Sequence, residues 1–202
     1  RSLASASFFI VLIKGEAQPR LWYFKYMNFS NPMNNVLQLG LREGMKVADI
    51  GTGSGAYALA CAGVVGSEGR VYAIDIHEDI LKHVADMALR GGYRTIETIW
   101  GNVEKQGGTK LRQQTQDAVI LSNVLFQVDD KQAVISEVKR IIKPGGKLLV
   151  VDWAGSYEGM GPHADHVVTE HQAEDLVIGG GFHKVKDFRA GPHHYAIVFT
   201  AP

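Results

Sequence analysis

Two patterns of apolar and polar positions alternate along the chain. Short continuous runs of Val, Ile, Leu and Ala are followed by longer segments in which apolar residues recur every three or four positions. The short runs are typical of strands that are buried on both faces, and the longer pattern is typical of helices with one face on a core. Strands that take turns with helices predict a mostly parallel sheet covered by helices on both sides.

The predicted elements begin after an apolar N-terminal segment and continue to the end of the chain. Strands are predicted at 46–51, 70–76, 96–100, 117–123 and 147–153, and helices at 54–65, 78–90, 130–142 and 169–179. The segment KPGG at 143–146 predicts the end of one helix and a tight turn into the next strand, because proline cannot continue a helix. Thr169 and Gln172 stand at the spacing of a capping box, which predicts a helix start there.

Two more strands are predicted near the C-terminus, at 183–189 and 194–200. The link between them, residues 190–193, is too short to contain a crossover helix, so the pair is predicted to be an antiparallel hairpin. The complete prediction is an α/β fold with a doubly wound, mostly parallel seven-stranded sheet that ends in this hairpin.

Composition and charge narrow the classes of protein that the pattern allows. A chain of 202 residues with 46% apolar and 21% charged residues is expected to be soluble and to form one core. Lys plus Arg and Asp plus Glu both number 21, so no overall field favours nucleic acid or an anionic membrane. The lone cysteine, Cys61, excludes an intramolecular disulfide and a metal site built on cysteines, and it favours a reducing compartment such as the cytoplasm.

The apolar run at 7–13 is far shorter than the roughly 20 residues that span a bilayer. It lacks the basic flank and small-residue cleavage site of a secretory signal. We therefore expect no membrane span here, and we expect the segment either to pack on the core or to be foreign to the natural chain.

Glycine is concentrated where the first predicted strand meets the first predicted helix, in KVADIGTGSGAY at 46–57. Each glycine costs backbone entropy on folding, so we expect another group to lie directly against the backbone of Gly51, Gly53 and Gly55, where a side chain would prevent contact. Ligands of open α/β sheets bind at this turn, and dinucleotide-binding proteins place a pyrophosphate against G-x-G-x-x-G. Here Ala56 stands at the third glycine, and Asp49 would repel a pyrophosphate but attract a cation.

Five motifs in the expected order make the chain resemble the class I S-adenosylmethionine-dependent methyltransferases over about residues 33–202. They are DIGTGSG (49–55), AIDI with Asp75, GNVE (101–104), LSNVLFQV (121–128), and KPGG before LLVVDW. The segment 121–153 is most similar to small bacterial or archaeal methyltransferases related to those of quinone biosynthesis. Those proteins often carry two histidines where this chain has Phe126 and Gln127.

The resemblance implies a Rossmann-like methyltransferase domain at 33–202, preceded by an N-terminal cap segment at 1–32. It implies S-adenosylmethionine as cofactor and S-adenosylhomocysteine as product. The implied cofactor-binding residues are Asp49, Gly51, Thr52, Gly53, Gly55, Asp75, Ile76, Asn102, Val103 and Asn123. Asp75 is expected to hold the ribose hydroxyls, and the polar residue of GNVE with its neighbour is expected to contact the adenine.

Methyl transfer is a direct displacement, in which positioning and exclusion of water supply much of the acceleration. A base is required only for a hydroxyl or a protonated amine, and histidine suits that role near neutral pH. The candidate catalytic residues are His163, His166 and His194, and the candidate acceptor pocket comprises Phe126, Gln127, Asp152, Trp153 and the loop 161–166. Trp22, Tyr23, Phe24 and Tyr26 are expected to form either an apolar lid or a core stripe.

Several other chemistries find little support in the residues. A metal site from His163, Asp165 and His166 has only loop spacing in its favour, and Ser122 and Asn123 stand where metal-dependent catechol-type enzymes carry acidic ligands, so no metal is expected. The chain has no N-P-P-Y-like segment, which argues against methylation of an amino group on a base or on glutamine. It has no Pro-Cys nucleophile for carbon-5 methylation of pyrimidines, and its single cysteine excludes arsenic methylation by a set of cysteines.

The sequence therefore predicts an enzyme that methylates a small molecule, with no nucleic-acid partner. Three alternatives stay open: methylation of RNA or protein, a catalytically silent subunit that binds the cofactor, and a nicotinamide-dependent oxidoreductase. A homodimer is also left open.

Overall fold

The computed structural model describes residues 30–157 and 160–202. The apolar run at 7–13 and the four candidate lid residues Trp22, Tyr23, Phe24 and Tyr26 lie outside the described residues, so the predictions for them stay predictions.

The described residues form seven strands, five α-helices and a short 3-10 helix. The strands are β1 (Lys46–Ile50), β2 (Arg70–Asp75), β3 (Ile96–Trp100), β4 (Gln116–Ser122), β5 (Ile142–Trp153), β6 (His183–Arg189) and β7 (His194–Thr200). The helices are α1 (Pro32–Leu37), α2 (Ala56–Val65), α3 (Glu78–Arg90), α4 (Lys131–Ile141) and α5 (Glu170–Gly179), and the 3-10 helix is Ala164–His166. Within residues 30–157 and 160–202, no helix is both long enough and apolar enough to cross a membrane.

All seven strands belong to one sheet, in the order β3-β2-β1-β4-β5-β7-β6. Strands β1 to β5 pair in parallel, and β7 runs antiparallel to both of its neighbours. This architecture confirms the predicted fold class, including the final hairpin. The strand order reverses between β1 and β4, which is the position where open α/β sheets leave a crevice at the carboxyl ends of their strands.

Two local features differ from the sequence prediction. Strand β5 begins at Ile142, directly after α4, and the KPGG segment lies inside the strand as a bulge rather than before it. The pairing with β4 shifts there, and a positive φ of 73° at Gly145 accommodates the extra residues. The short helix α1 was not predicted because its six residues carry no helical period; its N-cap Asn31 accepts a hydrogen bond from the backbone of Asn34.

The central strands β1, β2, β4, β5 and β7 are buried on both faces, whereas the edge strand β3 is partly exposed and the edge strand β6 is largely exposed. Each face of the sheet has its own set of helices. Helices α4 and α5 pack on the face formed by residues such as Leu148 and Val150 of β5. Helices α1, α2 and α3 pack on the opposite face, formed by residues such as Leu149 and Val151. This division explains why the strands read as continuous apolar runs, since successive side chains point to opposite faces and both faces are covered.

One buried carboxylate, Glu137 of α4, ties the helix to the loop that precedes β4. Its side chain is only 2% exposed and accepts hydrogen bonds from Gly107 N (2.9 Å), Thr109 N (3.1 Å) and Thr109 Oγ1 (2.6 Å). Arg140 adds donors to both carboxylate oxygens, each at 2.7 Å. Burial by itself raises the pKa of Glu137, but the hydrogen bonds from Arg140, Thr109 and Gly107 outweigh it and lower the pKa to about 2.

Replacing Glu137 with Ala should lower the free energy of unfolding by about 3 kcal/mol at pH 7, because it leaves the partly buried guanidinium of Arg140 and the backbone N–H groups of Gly107 and Thr109 without their acceptor. A lowered pKa stabilises the fold above the unfolded-state value of 4.5, and that contribution is lost as the pH falls toward 2. Denaturant unfolding at pH 7 and pH 3 should therefore show a smaller difference between wild type and variant at the lower pH. Glu68→Ala, which removes an exposed acid, is the matched control, and an equal effect of both substitutions at pH 7 would contradict the prediction.

Candidate active site

The glycine turn, residues 51–55, connects β1 to α2 in a backbone conformation that requires glycine. The φ angles of Gly51, Gly53 and Gly55 are 66°, 50° and 76°. A Cβ on Gly51 would lie 2.6 Å from Val124 Cγ2, and one on Gly55 would lie 3.0 Å from Val84 Cγ2, so both glycines serve packing within the protein. A Cβ on Gly53 would meet only Gly51 O, at 3.8 Å, so the backbone beside Gly53 is open to a ligand.

Asp49 lies at the end of β1, 1% exposed, with its carboxylate below the glycine turn. Thr52 Oγ1 donates a hydrogen bond of 2.7 Å to Asp49 Oδ2. Burial raises the pKa of Asp49 to about 6; the hydrogen bonds from Thr52 and Ala58 oppose this rise, and the nearby charge of Asp75 adds to it. A cationic group near this buried carboxylate would stabilise its ionised form and offset the cost of desolvation.

Asp75 lies at the end of β2 and joins that strand to the glycine turn. It is 8% exposed, and its two oxygens accept hydrogen bonds from Gly53 N (3.2 Å) and His77 N (3.1 Å). A carboxylate has about four lone-pair positions, so these two bonds leave acceptor capacity for a ligand. The predicted role as an acceptor for two neighbouring hydroxyls is compatible with this arrangement.

The next residues along this edge combine an apolar surface with a tight turn. Ile76 is 51% exposed, and its backbone oxygen accepts a hydrogen bond of 2.9 Å from Trp100 Nε1. Asn102 Oδ1 accepts from Glu104 N at 2.9 Å, so the side chain of Asn102 shapes the turn after β3, while Val103 is 8% exposed. The turn therefore sets the position of the Asn102 and Val103 backbone relative to Asp75.

Asn123 follows β4 and supplies a buried acceptor next to the glycine turn. Its φ is 58°, its backbone N–H donates to Val151 O at 2.8 Å, and its Oδ1 is buried without a hydrogen-bond partner in the part of the chain that the structure describes. A buried amide oxygen of this kind needs a hydrogen-bond donor, which a ligand or an ordered water can supply. Together with Asp49, Asp75 and the open backbone at Gly53, it fits a nucleoside that carries hydroxyls and a cationic amino acid group and has no phosphate.

Asp152 holds the turn that follows β4. It is 1% exposed, and its carboxylate accepts hydrogen bonds from Leu125 N (3.1 Å) and Trp153 N (2.8 Å), with a further backbone donor at Phe126. Burial raises the pKa of Asp152 to about 7, although these hydrogen bonds and the charge of Lys131 oppose the rise. Asp152 thus lies beneath the turn, where it accepts hydrogen bonds from the backbone of Leu125 and Phe126 and holds the predicted pocket residue Phe126 in place.

A cleft of about 490 Å³ opens between this turn, the 3-10 helix and α5. It brings together Phe126, Gln127 and His166 from the predicted acceptor pocket and catalytic set, and it adds Lys131 and Val168. The hydroxyl of Tyr195 on β7 donates to Val168 O at 2.9 Å and so fixes the wall formed by the segment after β5. The lining mixes apolar side chains, such as Phe126 and Val168, with polar and charged ones, such as Gln127 and Lys131, so a small molecule in this cleft would meet contacts of both kinds.

Trp153 and His194 do not line this cleft. Trp153 points to the opposite face of β5 from Asp152, and His194 on β7 is its partner in the strand register. The Trp153 ring is 4.3 Å from that of His194 and 6.2 Å from that of Tyr157, and the Tyr157 ring is 4.2 Å from that of His193. We call these four residues the aromatic cluster. Gly161, with a φ of 78°, packs on the Trp153 ring, where a Cβ would lie 2.7 Å from Cε3. Sequence analysis missed Tyr157 and His193 because the loop after β5 has no period that marks them.

His163 is also separate from the cleft lining. Its side chain is 76% exposed and lies 3.2 Å from Asp165 Oδ2. Among residues 30–157 and 160–202, no group of three or more His, Cys, Asp or Glu side chains is placed to hold a metal ion.

A methyltransferase domain model matches residues 41–180 of the chain. A ubiquinone/menaquinone biosynthesis C-methyltransferase UbiE from a Marinomonas species is 31% identical over 122 residues, which are 60% of this chain and 47% of that protein. An arsenite methyltransferase from Aquipseudomonas alcaligenes is 28% identical over 144 residues, covering 69% of this chain and 39% of that protein. The chain thus spans less than half the length of these curated relatives.

Among solved structures, a SAM-dependent methyltransferase from Aquifex aeolicus superposes with a TM-score of 0.79. It is 22% identical in sequence, and the match covers 92% of this chain and all of that one. At this identity the likeness establishes the fold of the sheet and its helices.

The raised pKa of Asp152 predicts how stability depends on pH. A raised pKa stabilises the fold fully below the unfolded-state value of 3.8, and the contribution is lost as the pH rises through about 7. The free energy of unfolding should therefore fall between about pH 4 and pH 7, and Asp152→Asn should reduce this slope because its side chain does not titrate. Urea unfolding at several pH values measures the slope; Asp86→Asn, at an exposed position, should leave it unchanged, and an identical slope in Asp152→Asn would exclude Asp152 as its source.

Proposed function

The chain belongs to the methyltransferase domain family, and from that premise we propose that it binds S-adenosylmethionine at the glycine turn and transfers the methyl group to a small-molecule acceptor. The family predicted from the sequence is thereby confirmed, while the acceptor is part of the proposal. One observation carries it: Asp75, Asp49 and Asn123 lie at the carboxyl ends of the neighbouring strands β2, β1 and β4, and Asp75 accepts a hydrogen bond from Gly53 N, beside which the backbone is open.

The residues around the glycine turn have distinct binding roles in this proposal. Asp75 accepts hydrogen bonds from the ribose hydroxyls with the capacity that Gly53 and His77 leave unused. Asp49 provides a negative charge, and Asn123 Oδ1 provides an acceptor for the amino acid part of the ligand. The exposed Ile76 offers an apolar contact for the adenine beside Val103.

When bound, S-adenosylmethionine supplies an electrophilic methyl group on a sulfonium, which is a good leaving group. The protein then needs to orient the acceptor and keep water away, since positioning is worth roughly 7–11 kcal/mol in favourable cases. Phe126 and Val168 provide apolar walls for the acceptor, and Gln127 provides a polar contact that fixes its orientation. His166, exposed at the cleft, is the candidate base for an acceptor that must lose a proton.

The cleft and the net charge favour a small molecule over a macromolecule. A volume of about 490 Å³ suits a small acceptor, and the chain carries equal numbers of basic and acidic residues. Phe126 and Gln127 replace two histidines common in the quinone-related enzymes, so we do not assign a quinone as the acceptor. The lone Cys61 is buried, which argues against arsenic methylation by cysteines and fits the proposed cytoplasmic location.

The acceptor is found by measuring S-adenosylhomocysteine release from the purified protein with S-adenosylmethionine and a panel of quinols, phenols, small amines, RNA and unfolded protein. The proposal predicts turnover with one class of small molecule and a mass increase of one methyl group in the product. Phe126→Ala should lower that turnover while cofactor affinity stays nearly unchanged. Turnover with RNA or protein alone would overturn the small-molecule assignment, and cofactor binding without any turnover would identify a catalytically silent subunit.

Asp75→Ala should weaken binding of S-adenosylmethionine by about 1.5–3 kcal/mol, or roughly 10-fold to 150-fold in Kd, because hydrogen bonds to a charged acceptor are lost. Isothermal titration calorimetry measures this directly, and Asp86→Ala on the exposed side of α3 controls for the change in net charge. An unchanged Kd in Asp75→Ala would remove Asp75 from the site.

A further inference from the structure

A loop connects the two halves of the proposed site, which are the cofactor half at the glycine turn and the acceptor cleft. The proposed methyl transfer assigns no role to the contacts of this loop. We define the clasp loop as residues 101–110, between β3 and β4. It begins at the cofactor half, where Gly101 N donates to Asp75 O at 3.0 Å and Asn102 and Val103 follow. Its other contacts lead to the segment before α4, which forms one wall of the acceptor cleft.

Glu104 makes the direct connection between the two halves. Its backbone N–H donates to Asn102 Oδ1 at 2.9 Å, so its main chain belongs to the turn at the cofactor half. Its carboxylate Oε1 accepts hydrogen bonds from both Asp129 N and Asp130 N, each at 2.8 Å. Asp129 lines the cleft, and Asp130 is the N-cap of α4, whose side chain accepts from Ala133 N at 2.9 Å.

The far end of the clasp loop is held by the same helix. Glu137 of α4 accepts from the backbone of Gly107 and Thr109. The loop is also closed on itself, because a Cβ on Gly108 would overlap Asn102 O and one on Gly101 would overlap Gly108 O. The loop is thus attached to α4 at Glu137 and to the residues directly before α4 through Glu104, and its interior is closely packed.

We propose that Glu104 is a positioning residue that couples occupancy of the cofactor half, at Asn102 and Val103, to the shape of the acceptor cleft, at Asp129 to Lys131. The proposal rests on the proposed function. A ligand that contacts Asn102 and Val103 would stabilise the turn to which the main chain of Glu104 belongs. The Glu104 side chain would pass this on, because it holds the backbone N–H groups directly before α4, on the wall that carries Lys131. The cofactor would thereby prepare the cleft for its acceptor, as expected when two sites share a coupling element.

Hydrogen exchange of the backbone amides, measured with and without S-adenosylhomocysteine, tests this coupling. The amides of Ala133 and Val134 are informative because their acceptors belong to Asp130 and remain after Glu104 is changed. In the wild type, the ligand should slow exchange at the glycine turn and also at these two amides. In Glu104→Ala, protection at the glycine turn should persist, while the ligand-induced protection at Ala133 and Val134 is lost.

Two further variants separate coupling from a purely structural role. Glu104→Gln keeps an oxygen that can accept both N–H groups and should restore protection at Ala133 and Val134. Glu104→Asp keeps the charge, but its shorter side chain should not reach the N–H groups of Asp129 and Asp130, so it should behave like Glu104→Ala. This variant keeps the test possible if Glu104→Ala does not fold. Glu68→Ala controls for the loss of an exposed acid and should match the wild type.

The outcomes are distinguishable. Ligand-induced protection at Ala133 and Val134 that survives in both Glu104→Ala and Glu104→Asp would overturn the coupling. Protection at the glycine turn alone in the wild type would do the same. The absence of protection anywhere in the wild type would instead overturn the proposed cofactor, and the coupling proposal with it.

Discussion

Burial of the central strands on both faces is the constraint on which the rest of the structure depends. Because helices cover both sides of β1, β2, β4, β5 and β7, most residues within these strands are apolar, and polar chemistry is left to the strand ends. The reversal of strand order between β1 and β4 then places the carboxyl ends of three strands side by side. Asp49, Asp75 and Asn123 thus reach one crevice although they are far apart in sequence.

Three buried carboxylates show how local donors decide what the same chemical group does. Glu137 has a guanidinium and several N–H and O–H donors, and its pKa is lowered to about 2. Asp152 has only backbone donors, which do not offset burial, and its pKa is raised to about 7. Burial also raises the pKa of Asp49, to about 6, against one hydroxyl and one backbone donor, so a nearby cation would favour its ionised form. Glu137 and Asp152 serve the framework, whereas Asp49 lies where a ligand is expected.

The sequence by itself determined the elements, the mostly parallel pairing of the strands and the final antiparallel hairpin, because these signals are local. Apolar runs and helical periods predicted all seven strands and α2 to α5 close to their observed bounds, and the capping box at Thr169 and Gln172 is present. The link at 190–193 is too short for a crossover, which required an antiparallel hairpin. The residues predicted for the cofactor follow strand ends, and parallel strands bring such ends to one edge.

Only the tertiary structure decided which side chains share a space on the acceptor side. Asp152 and Trp153 are neighbours in sequence, yet one lies beneath the turn after β4 and the other in the aromatic cluster, because strand residues alternate and different helices cover the two faces. The bulge at KPGG and the bond from Glu104 to Asp129 likewise depend on register and on packing between distant segments. Neither leaves a local pattern, since each is set by the contacts of the folded chain rather than by the propensities of neighbouring residues.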